Sequence, residues 1–387
     1  MSERSVDVLI VGAGAAGASC AAELRARGFA GSVLLAGREL DPPYERPPIS
    51  KEYLVSSASK PLPVPGDVEL MTRTSVMKLD PAARVATLST KEEVAFGHAV
   101  LCTGANVRRL PLEGAQLEGV HYLRALRNAD ALRDDAQPGA RIVMVGGSFI
   151  ACEVAASLAT MGVAATVVFP EEAPLALQFG SRVGAWVRGQ LEARGVEVLA
   201  GEQAARLEGA GEDVERVVCA SGRAIDCDAV VIGVGAVPDV MLARSAGLAL
   251  GESGGVACSA GLETSAPGVY AAGDCAEYES VLHGRRVRIE HHEVAVGQGR
   301  VAARNVLGEE AVYDDVPYFW SDLADWATLE AVGPALDGWD AEEVRGSFDS
   351  GSFSVLYSLE GRLVAAMTCG RPEDLDEARE RLRAAVA

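Results

Sequence analysis

A strand–turn–helix–strand pattern occurs twice in this chain, and this repeat limits the possible fold more than any other feature. The first copy begins with DVLIVGAGAAG at residues 7–17, continues into the helical segment AAELRARG and ends in the apolar strand SVLLA. Gly12, Gly14 and Gly17 have the GxGxxG spacing, which lets the backbone turn tightly and approach a pyrophosphate at a helix N-terminus. Glu39 follows the second strand, where a carboxylate can bind ribose hydroxyls. The first copy therefore predicts a dinucleotide-binding α/β unit.

The second copy, RIVMVGGSFIACEVAASLATMGVAATVVFPEE at residues 141–172, keeps the rhythm but has a weaker fingerprint. It reads Gly146-x-Ser148-x-x-Ala151. Alanine is tolerated at the third position, where helix and strand pack, whereas the Ser148 hydroxyl must either point aside or bind a phosphate. Taken alone, this copy is weak support for a second dinucleotide site, but its position after a complete first unit strengthens it.

Two acids follow the second copy and bear on which nucleotide it binds. Glu171 and Glu172 come after the strand, and no arginine lies between Phe169 and Gly180. A carboxylate here suits a ribose 2′-hydroxyl, whereas a 2′-phosphate usually needs an arginine. The pattern favours NADH over NADPH.

Three later strands end in glycine turns. They are HAVLCTGA, DAVVIGVGAVPD and GVYAAGDC, and the last brings a carboxylate, Asp274, beside Gly273. Each ending is common alone, but their order in a chain with two fingerprints is specific.

The loop PPYERPPISK, residues 42–51, is stiff and cationic. Its prolines fix φ and remove backbone donors, so neither a helix interior nor a central strand is expected. It is either a simple surface connector or a rigid support that holds Arg46 and Lys51 over a bound anion.

Charge and hydropathy exclude several classes of partner. The net charge is −20, with 55 acidic and 35 basic residues, so nucleic acids and anionic membrane surfaces are repelled. No segment has eighteen uninterrupted apolar residues, and we expect a cytoplasmic protein without membrane spans. The eight cysteines show no CxxC spacing and no His-rich tract accompanies them, which argues against a metal site and a redox-active dithiol.

Most of the chain resembles one family. GAGAAG, PPYERPPISK, CTGA, GGSFIACEVA, GVGAVP, YAAGDC, RIEHHEVAVGQGR and VPYFWSD resemble segments of FAD-dependent pyridine-nucleotide oxidoreductases of the ferredoxin reductase and apoptosis-inducing factor type. The resemblance implies an α/β fold with two Rossmann-like domains, for FAD and NAD, arranged as in glutathione reductase, plus a C-terminal α/β domain. The expected bounds are residues 1–111 and 240–307 for the FAD domain, 112–239 for the NAD domain and 308–387 for the C-terminal domain.

The resemblance also implies site residues. Those expected at FAD are Gly12, Gly14, Ala15, Ala16, Gly17, Glu39, Arg46, Lys51, Val76, Arg124, Gly273, Asp274, His291, His292 and Trp320. Those expected at NAD(H) are Gly147, Ser148, Phe149, Ile150, Glu153, Glu171, Gly235, Glu290 and Glu330.

Two of these residues are expected to act at the reacting centre. The resemblance places Lys51 near the flavin N5, where a cation stabilises the charge of a reduced ring, and pairs it with Glu153. It also places Arg46 at the FAD pyrophosphate, which favours the rigid-support interpretation of the proline-rich loop. Glu153 could instead have no role beyond a favourable interaction with the dipole of its helix, near the N-terminus. Ser148, Ala151 and Arg38 depart from the family pattern.

The implied activity is electron transfer from NADH through FAD to an external acceptor, because no cysteine pair stands where dithiol reductases carry one. A ferredoxin-type iron–sulfur protein is the favoured acceptor. The acidic net charge opposes this partner unless a basic run forms a docking patch: Arg285, Arg286, Arg288, Arg300 and Arg304. Two alternatives stay open, a reductase of a quinone or monodehydroascorbate, and a slow NADH-oxidising, redox-sensing interaction protein similar to apoptosis-inducing factor. We expect a monomer or a homodimer.

Overall fold

The computed structural model describes residues 4–385. The strand before the first glycine turn belongs to a mainly parallel sheet. Strands and helices are numbered in chain order. This sheet contains β1 (Arg4–Val11), β2 (Val33–Ala36), β3 (Glu69–Met71), β4 (Val76–Asp80), β5 (Val85–Leu88), β6 (Glu93–Leu101) and β18 (Val269–Ala271). The order is β3-β2-β1-β6-β5-β4, and β18 pairs in parallel with the C-terminal part of β6. Val8, Leu9 and Ile10 of β1 are fully buried, as expected for a strand covered on both faces.

The parts of the chain that contain these strands also form several helices and one small sheet. The helices are α1 (Ala15–Ala26), α2 (Glu52–Ser56), α6 (Met241–Ser245) and α7 (His292–Val306), and a 3₁₀ turn covers Pro47–Ser50. The small sheet consists of β17 (Val256–Cys258), β19 (Ala276–Ser280) and β20 (Arg285–Val287). Helices α1 and α7 touch closely, because a Cβ on Gly299 would lie 2.2 Å from the backbone oxygen of Ala16.

The second glycine turn opens a fully parallel sheet of five strands in the order β11-β10-β9-β15-β8. Their bounds are β8 (Val120–His121), β9 (Arg141–Val145), β10 (Ala164–Phe169), β11 (Glu197–Ala200) and β15 (Ala229–Ile232). Helices α3 (Leu126–Asp135), α4 (Phe149–Thr160) and α5 (Ala176–Glu192) accompany it, with an antiparallel sheet of β12 (Ala204–Ala210), β13 (Asp213–Cys219) and β14 (Ala224–Asp226). The chain enters and leaves this unit through a two-stranded ribbon, β7 (Ala105–Val107) and β16 (Ala236–Pro238).

The C-terminal part of the chain forms an antiparallel sheet in the order β21-β22-β25-β24-β23. Its elements are β21 (Tyr318–Leu323), β22 (Ala327–Val332), β23 (Ala341–Ser347), β24 (Ser352–Leu359), β25 (Arg362–Cys369) and α8 (Pro372–Ala384). This sheet packs on α5: the Trp186 indole donates to the Phe348 oxygen at 2.9 Å, and the Tyr357 hydroxyl donates to the Phe179 oxygen at 2.8 Å. The C-terminal unit therefore lies against the second glycine-turn unit and brings β21 to the site described below.

No helix within residues 4–385 combines the length and apolar character needed to cross a membrane.

Candidate functional site

A cavity of about 790 Å³ lies where the two glycine turns, the proline-rich loop and β21 meet. It is at the carboxyl ends of the parallel strands, the edge where ligands bind in open α/β sheets. Most of the predicted site residues line it: Gly12, Gly14, Ala15, Ala16, Glu39, Arg46, Lys51, Val76, Arg124, Ser148, Phe149, Ile150, Glu153, Gly235, Gly273, Asp274, Glu290, His291, His292 and Trp320. Residues of both units and of the C-terminal sheet therefore line the same cavity.

The first turn is shaped by three glycines with different environments. Gly12 has φ +112°, and a Cβ there would lie 2.1 Å from the Cys102 oxygen. A Cβ on Gly17 would lie 2.0 Å from the Gly12 oxygen, so Gly17 allows α1 to pack against the turn and does not line the cavity. Gly14 has open space on the side where a Cβ would project. Its backbone and the start of α1 can therefore receive an anionic group.

Charged side chains beside this turn form two ion pairs. Arg46 bonds the Glu39 carboxylate, whose other oxygen accepts the Tyr44 hydroxyl at 2.5 Å. Burial alone would raise the pKa of Glu39, but Arg46, together with Tyr44 and Arg38, outweighs burial and holds the pKa below its usual value. Arg124 contacts Asp274 at 2.9 Å. The site therefore offers two carboxylates for hydroxyl groups and two guanidinium groups for phosphates.

His291, at the N-cap of α7, adds a buried neutral nitrogen to the same side of the cavity. Burial lowers the pKa of His291 to about 4, so the imidazole is uncharged near neutral pH. Its ring lies 4.5 Å from the Phe319 ring, between centroids, and its buried Nδ1 has no hydrogen-bond partner within the described chain. A buried polar atom without a partner is costly, which indicates that a bound group completes this site.

The second turn resembles the first at its start and differs later. Gly146 has φ +127°, and a Cβ there would lie 2.3 Å from the Gly233 oxygen. The Ser148 hydroxyl donates to that oxygen at 3.3 Å, so of the two expected orientations it takes the one that points aside. Ala151 is fully buried. Gly147 packs on Phe169, since a Cβ would lie 2.7 Å from that ring, and it is not among the cavity-lining residues.

Lys51 and Glu153 meet between the two turns. The Lys51 Nζ lies 3.4 Å from Glu153 Oε1 and 3.3 Å from Asp322 Oδ2, and both Lys51 and Glu153 are buried. It also lies 5.5 Å from the centroid of the Trp320 ring. Burial raises the pKa of Glu153, and Lys51 opposes that rise. A cation is thus held in a dry part of the cavity, where charges interact strongly.

Sequence reasoning missed three members of this cluster. Glu153 also accepts hydrogen bonds from Ser50 and, at 2.7 Å, from Ser321, and Asp322 was not anticipated as a partner of Lys51. The available signal was the alternation of β21, which buries Ser321 on the same side as Leu323. A polar residue on the apolar face of a strand needs a partner.

Besides Gly17 and Gly147, two more predicted nucleotide residues, Glu171 and Glu330, lie outside the cavity lining. Glu171 follows β10 at the edge of the second sheet. Glu330, on β22, faces Trp320 across the strand pair and accepts the Tyr318 hydroxyl at 2.8 Å. Their contacts with a nucleotide stay predictions, and in this structure Glu330 stabilises the β21–β22 hairpin.

Four of the five arginines expected in the docking patch are paired with acids, and docking at this patch stays a prediction. Arg285 pairs with Asp337 at 2.7 Å, Arg286 with Glu279 at 3.0 Å, and Arg288 with Glu290. Arg304 pairs with Glu23 at 2.9 Å. Asp337 and Glu23 come from distant parts of the chain, whereas Glu279 and Glu290 lie close to the basic run in sequence and were not recognised as partners.

Comparisons with known proteins agree with this geometry. The family model "Pyridine nucleotide-disulphide oxidoreductase" matches residues 6–299, and "Reductase C-terminal" matches residues 318–387. A ferredoxin–NAD(P)⁺ reductase of Sphingomonas sp. is 34% identical over 94% of this chain and 90% of its own length. A rubredoxin–NAD⁺ reductase of Pseudomonas putida is 33% identical over 95% of this chain and 96% of its own length.

Solved structures give the same result. A ferredoxin reductase from Rhodopseudomonas palustris superposes with a TM-score of 0.91 at 33% identity, covering 95% of this chain and 92% of that chain. A covalent putidaredoxin reductase–putidaredoxin complex gives 0.92 at 30% identity, covering 98% of this chain and 93% of that chain. The predicted fold class and family resemblance are confirmed.

The residues present fit the cofactors of this family. The open backbone at Gly14, the ion pairs of Arg46 and Arg124 and the unpartnered nitrogen of His291 suit a large, anionic, hydrogen-bonding ligand such as FAD. The second turn opens on the same cavity and suits a second nucleotide. The chain belongs to the pyridine nucleotide-disulphide oxidoreductase family and is an FAD-dependent oxidoreductase that uses NAD(P)H.

Proposed function

We propose that this protein oxidises NADH and passes the electrons through FAD to a small iron–sulfur protein. The single cavity that joins both glycine turns across Lys51 carries this proposal. The ferredoxin, rubredoxin and putidaredoxin reductases named above support an iron–sulfur acceptor.

The cysteines support an external acceptor over an internal disulfide. All eight are free and buried. Cys102 is the one cysteine among the residues that line the cavity, and burial raises the pKa of its thiol well above its usual value. A thiol that stays protonated is a poor nucleophile, so electrons leave for another molecule.

The first turn is proposed as the FAD site. FAD, when bound, accepts a hydride from NADH and releases electrons one at a time. The backbone of Gly12, Gly14, Ala15 and Ala16 would receive the pyrophosphate together with Arg46. Glu39 would bind ribose hydroxyls. Asp274, held by Arg124, would accept from the remaining hydroxyl groups, and Val76 would contribute an apolar contact.

Lys51 is proposed to stabilise negative charge at the reacting end of the cofactor. Its ammonium group is buried and fixed by two carboxylates, so it needs no reorganisation when charge develops. Trp320, His291 and His292 line this end and exclude water. Glu153 keeps Lys51 in place from the NADH side.

The second turn is proposed as the NADH site. Phe149, Ile150, Gly235 and Glu290 line its part of the cavity. Glu171 and Glu172 would repel a 2′-phosphate, which supports NADH as the preferred donor.

The arrangement of the sheets supports the proposed domain division. We assign residues 1–111 and 240–307 to the FAD domain, 112–239 to the NAD domain and 308–387 to the C-terminal domain, with the β7–β16 ribbon near both crossings. The free cysteines suit a reducing compartment, so we assign the protein to the cytoplasm. We also propose that it is a monomer or a homodimer.

Acceptor turnover tests the proposal. Purified protein with NADH is expected to reduce a [2Fe–2S] ferredoxin or a rubredoxin in steady state, two acceptor molecules for each NADH. Rapid reduction of the bound flavin with both iron–sulfur proteins left oxidised, while a quinone is consumed, would contradict the acceptor assignment.

A further inference from the structure

A buried ionic cluster joins all three units of the chain. Lys51 is the last residue of the proline-rich loop, Glu153 lies on α4 and Asp322 lies on β21. The Lys51 Nζ is almost equidistant from the two acids, at 3.4 Å from Glu153 Oε1 and 3.3 Å from Asp322 Oδ2. One cation is therefore shared by carboxylates from two other units.

The two carboxylates have different surroundings. The Glu153 side chain is 7% exposed, lines the cavity and also bonds two serine hydroxyls. The Asp322 side chain is 26% exposed and is not among the cavity-lining residues. Its Oδ1 accepts the Thr328 hydroxyl at 2.7 Å, which leaves Oδ2 for Lys51. Asp322 thus contacts Lys51 from outside the cavity.

The charge of Asp322 must alter what Lys51 does inside the cavity. Lys51 is 6% exposed and the Asp322 side chain is 26% exposed, so water screens this pair less than it screens a pair on the open surface. A negative charge on the outer side of the ammonium group holds it away from the cavity and cancels part of its positive potential there. Glu153 cannot replace this effect, because it contacts Lys51 from the cavity side.

We propose that Asp322 is a positioning residue that acts through Lys51 and lowers the reduction potential of the bound flavin. The inference rests on the proposed function, in which FAD lies beside Lys51. The proposed effect is electrostatic, and Asp322 takes no part in bond formation or proton transfer. A lower potential favours delivery of electrons to an iron–sulfur acceptor and leaves less driving force for their uptake from NADH.

Asp322→Asn tests this inference by redox equilibration of the FAD-loaded protein with a reference dye. We expect the equilibrium constant to shift by about tenfold toward reduced flavin, the size of effect that one close charge partner has on another group. The matched control is Asp325→Asn, the same charge change at an exposed position of the same hairpin. It should leave the equilibrium unchanged.

A double variant shows whether the effect passes through Lys51. In a Lys51→Met background, Asp322→Asn should no longer shift the equilibrium. An equal shift in both backgrounds, or no shift in either, overturns the inference. If Asp322→Asn loses FAD, Thr328→Val removes only the hydroxyl that orients the carboxylate. A smaller shift in the same direction then supports the inference, and no shift overturns it.

Failure of the proposed function would look different. If the wild-type protein binds no FAD, or if Lys51→Met alone leaves the flavin potential unchanged, the placement of FAD beside Lys51 is wrong. A clear effect of Lys51→Met without any effect of Asp322→Asn would overturn only the role of Asp322.

Discussion

The two glycine turns begin alike and diverge after the first residue. Gly12 and Gly146 both have positive φ, and a Cβ on either would overlap a backbone oxygen, at 2.1 and 2.3 Å. At the third position, Gly17 leaves no room for a methyl group, whereas Ala151 already carries one. The second turn therefore accommodates a methyl group at a position where the first does not.

At the second position of the fingerprint, too, the first turn has a glycine and the second turn a larger residue. The side of Gly14 that a Cβ would occupy is open, whereas Ser148 carries a hydroxyl that is bonded to Gly233. A tighter turn without a side chain at the second position allows closer backbone contact with a phosphate. This suits a cofactor retained through every cycle at the first turn and a nucleotide that must leave after each reaction at the second.

The largest expected effect concerns the third positions. Gly17→Ala should cost about 3 kcal/mol or more, because its methyl group would overlap the Gly12 backbone and force α1 outward. Ala151→Gly, the matched change in the second turn, should cost only about 1 kcal/mol through helix propensity and lost packing. Urea unfolding of both variants measures this difference, and equal losses would remove the distinction between the turns.

Acid should affect the two sides of the cavity in opposite ways. His291 has a folded pKa of about 4, below its unfolded value near 6.5. Its contribution to stability is therefore present above about pH 6.5 and is lost as the pH falls toward 4. The pKa of Glu153 is raised by burial, so the stability associated with its protonated form is lost as the pH rises above about 4.5.

Substitutions at His291 and Glu153 test separately the two pH dependences of stability. His291→Asn should remove on the order of 2 kcal/mol of acid destabilisation between pH 6.5 and 4, whereas Glu153→Gln should flatten the opposite slope. Denaturant unfolding at several pH values measures both. Unchanged pH profiles would show that neither group differs between the folded and unfolded states.

Lys51, which lies between the turns, should affect reaction more than FAD retention. Lys51→Met should slow flavin reduction by NADH about tenfold, because one buried cation is lost near the developing charge, while the contacts of Arg46 and α1 remain. Lys60→Met, at an exposed lysine of the same segment, is the control. Stopped-flow absorbance measures the rate, and a wild-type rate in Lys51→Met would reduce the lysine to a loop residue.

The smallest expected effect concerns the choice of nucleotide at the second turn. Glu171→Gln and Glu172→Gln should each improve kcat/KM for NADPH relative to NADH by about fivefold, since each removes a repulsion on the order of 1 kcal/mol. Glu192→Gln is the control, because Glu192 ends α5 at the opposite edge of the sheet. A wild-type enzyme that uses both nucleotides equally well would contradict the assignment.

The meeting of the proline-rich loop with both turns was implied by the family resemblance, whereas local patterns in the sequence predicted the turns and the helices after them. These features depend on residues close together in the chain, such as the glycines around Gly12. Long-range charge pairing was not predictable. Asp322 reaches Lys51, and Asp337 reaches Arg285, only after three sheets have packed.

Strand register explains another difference between sequence and structure. Glu330 faces Trp320 on the neighbouring strand, and its carboxylate bonds Tyr318 outside the cavity lining. A motif near a site does not determine which side of a hairpin a given residue faces, because that depends on pairing that the motif does not contain.

An anaerobic titration of the purified protein with NADH tests the central claim most directly, namely that the two turns hold two nucleotides that react with each other across Lys51. The protein should be yellow, release FAD on denaturation, and lose its flavin absorbance on addition of one NADH per FAD. Colourless protein that cannot be reconstituted with FAD, or a flavin band that NADH leaves unchanged, would contradict the account.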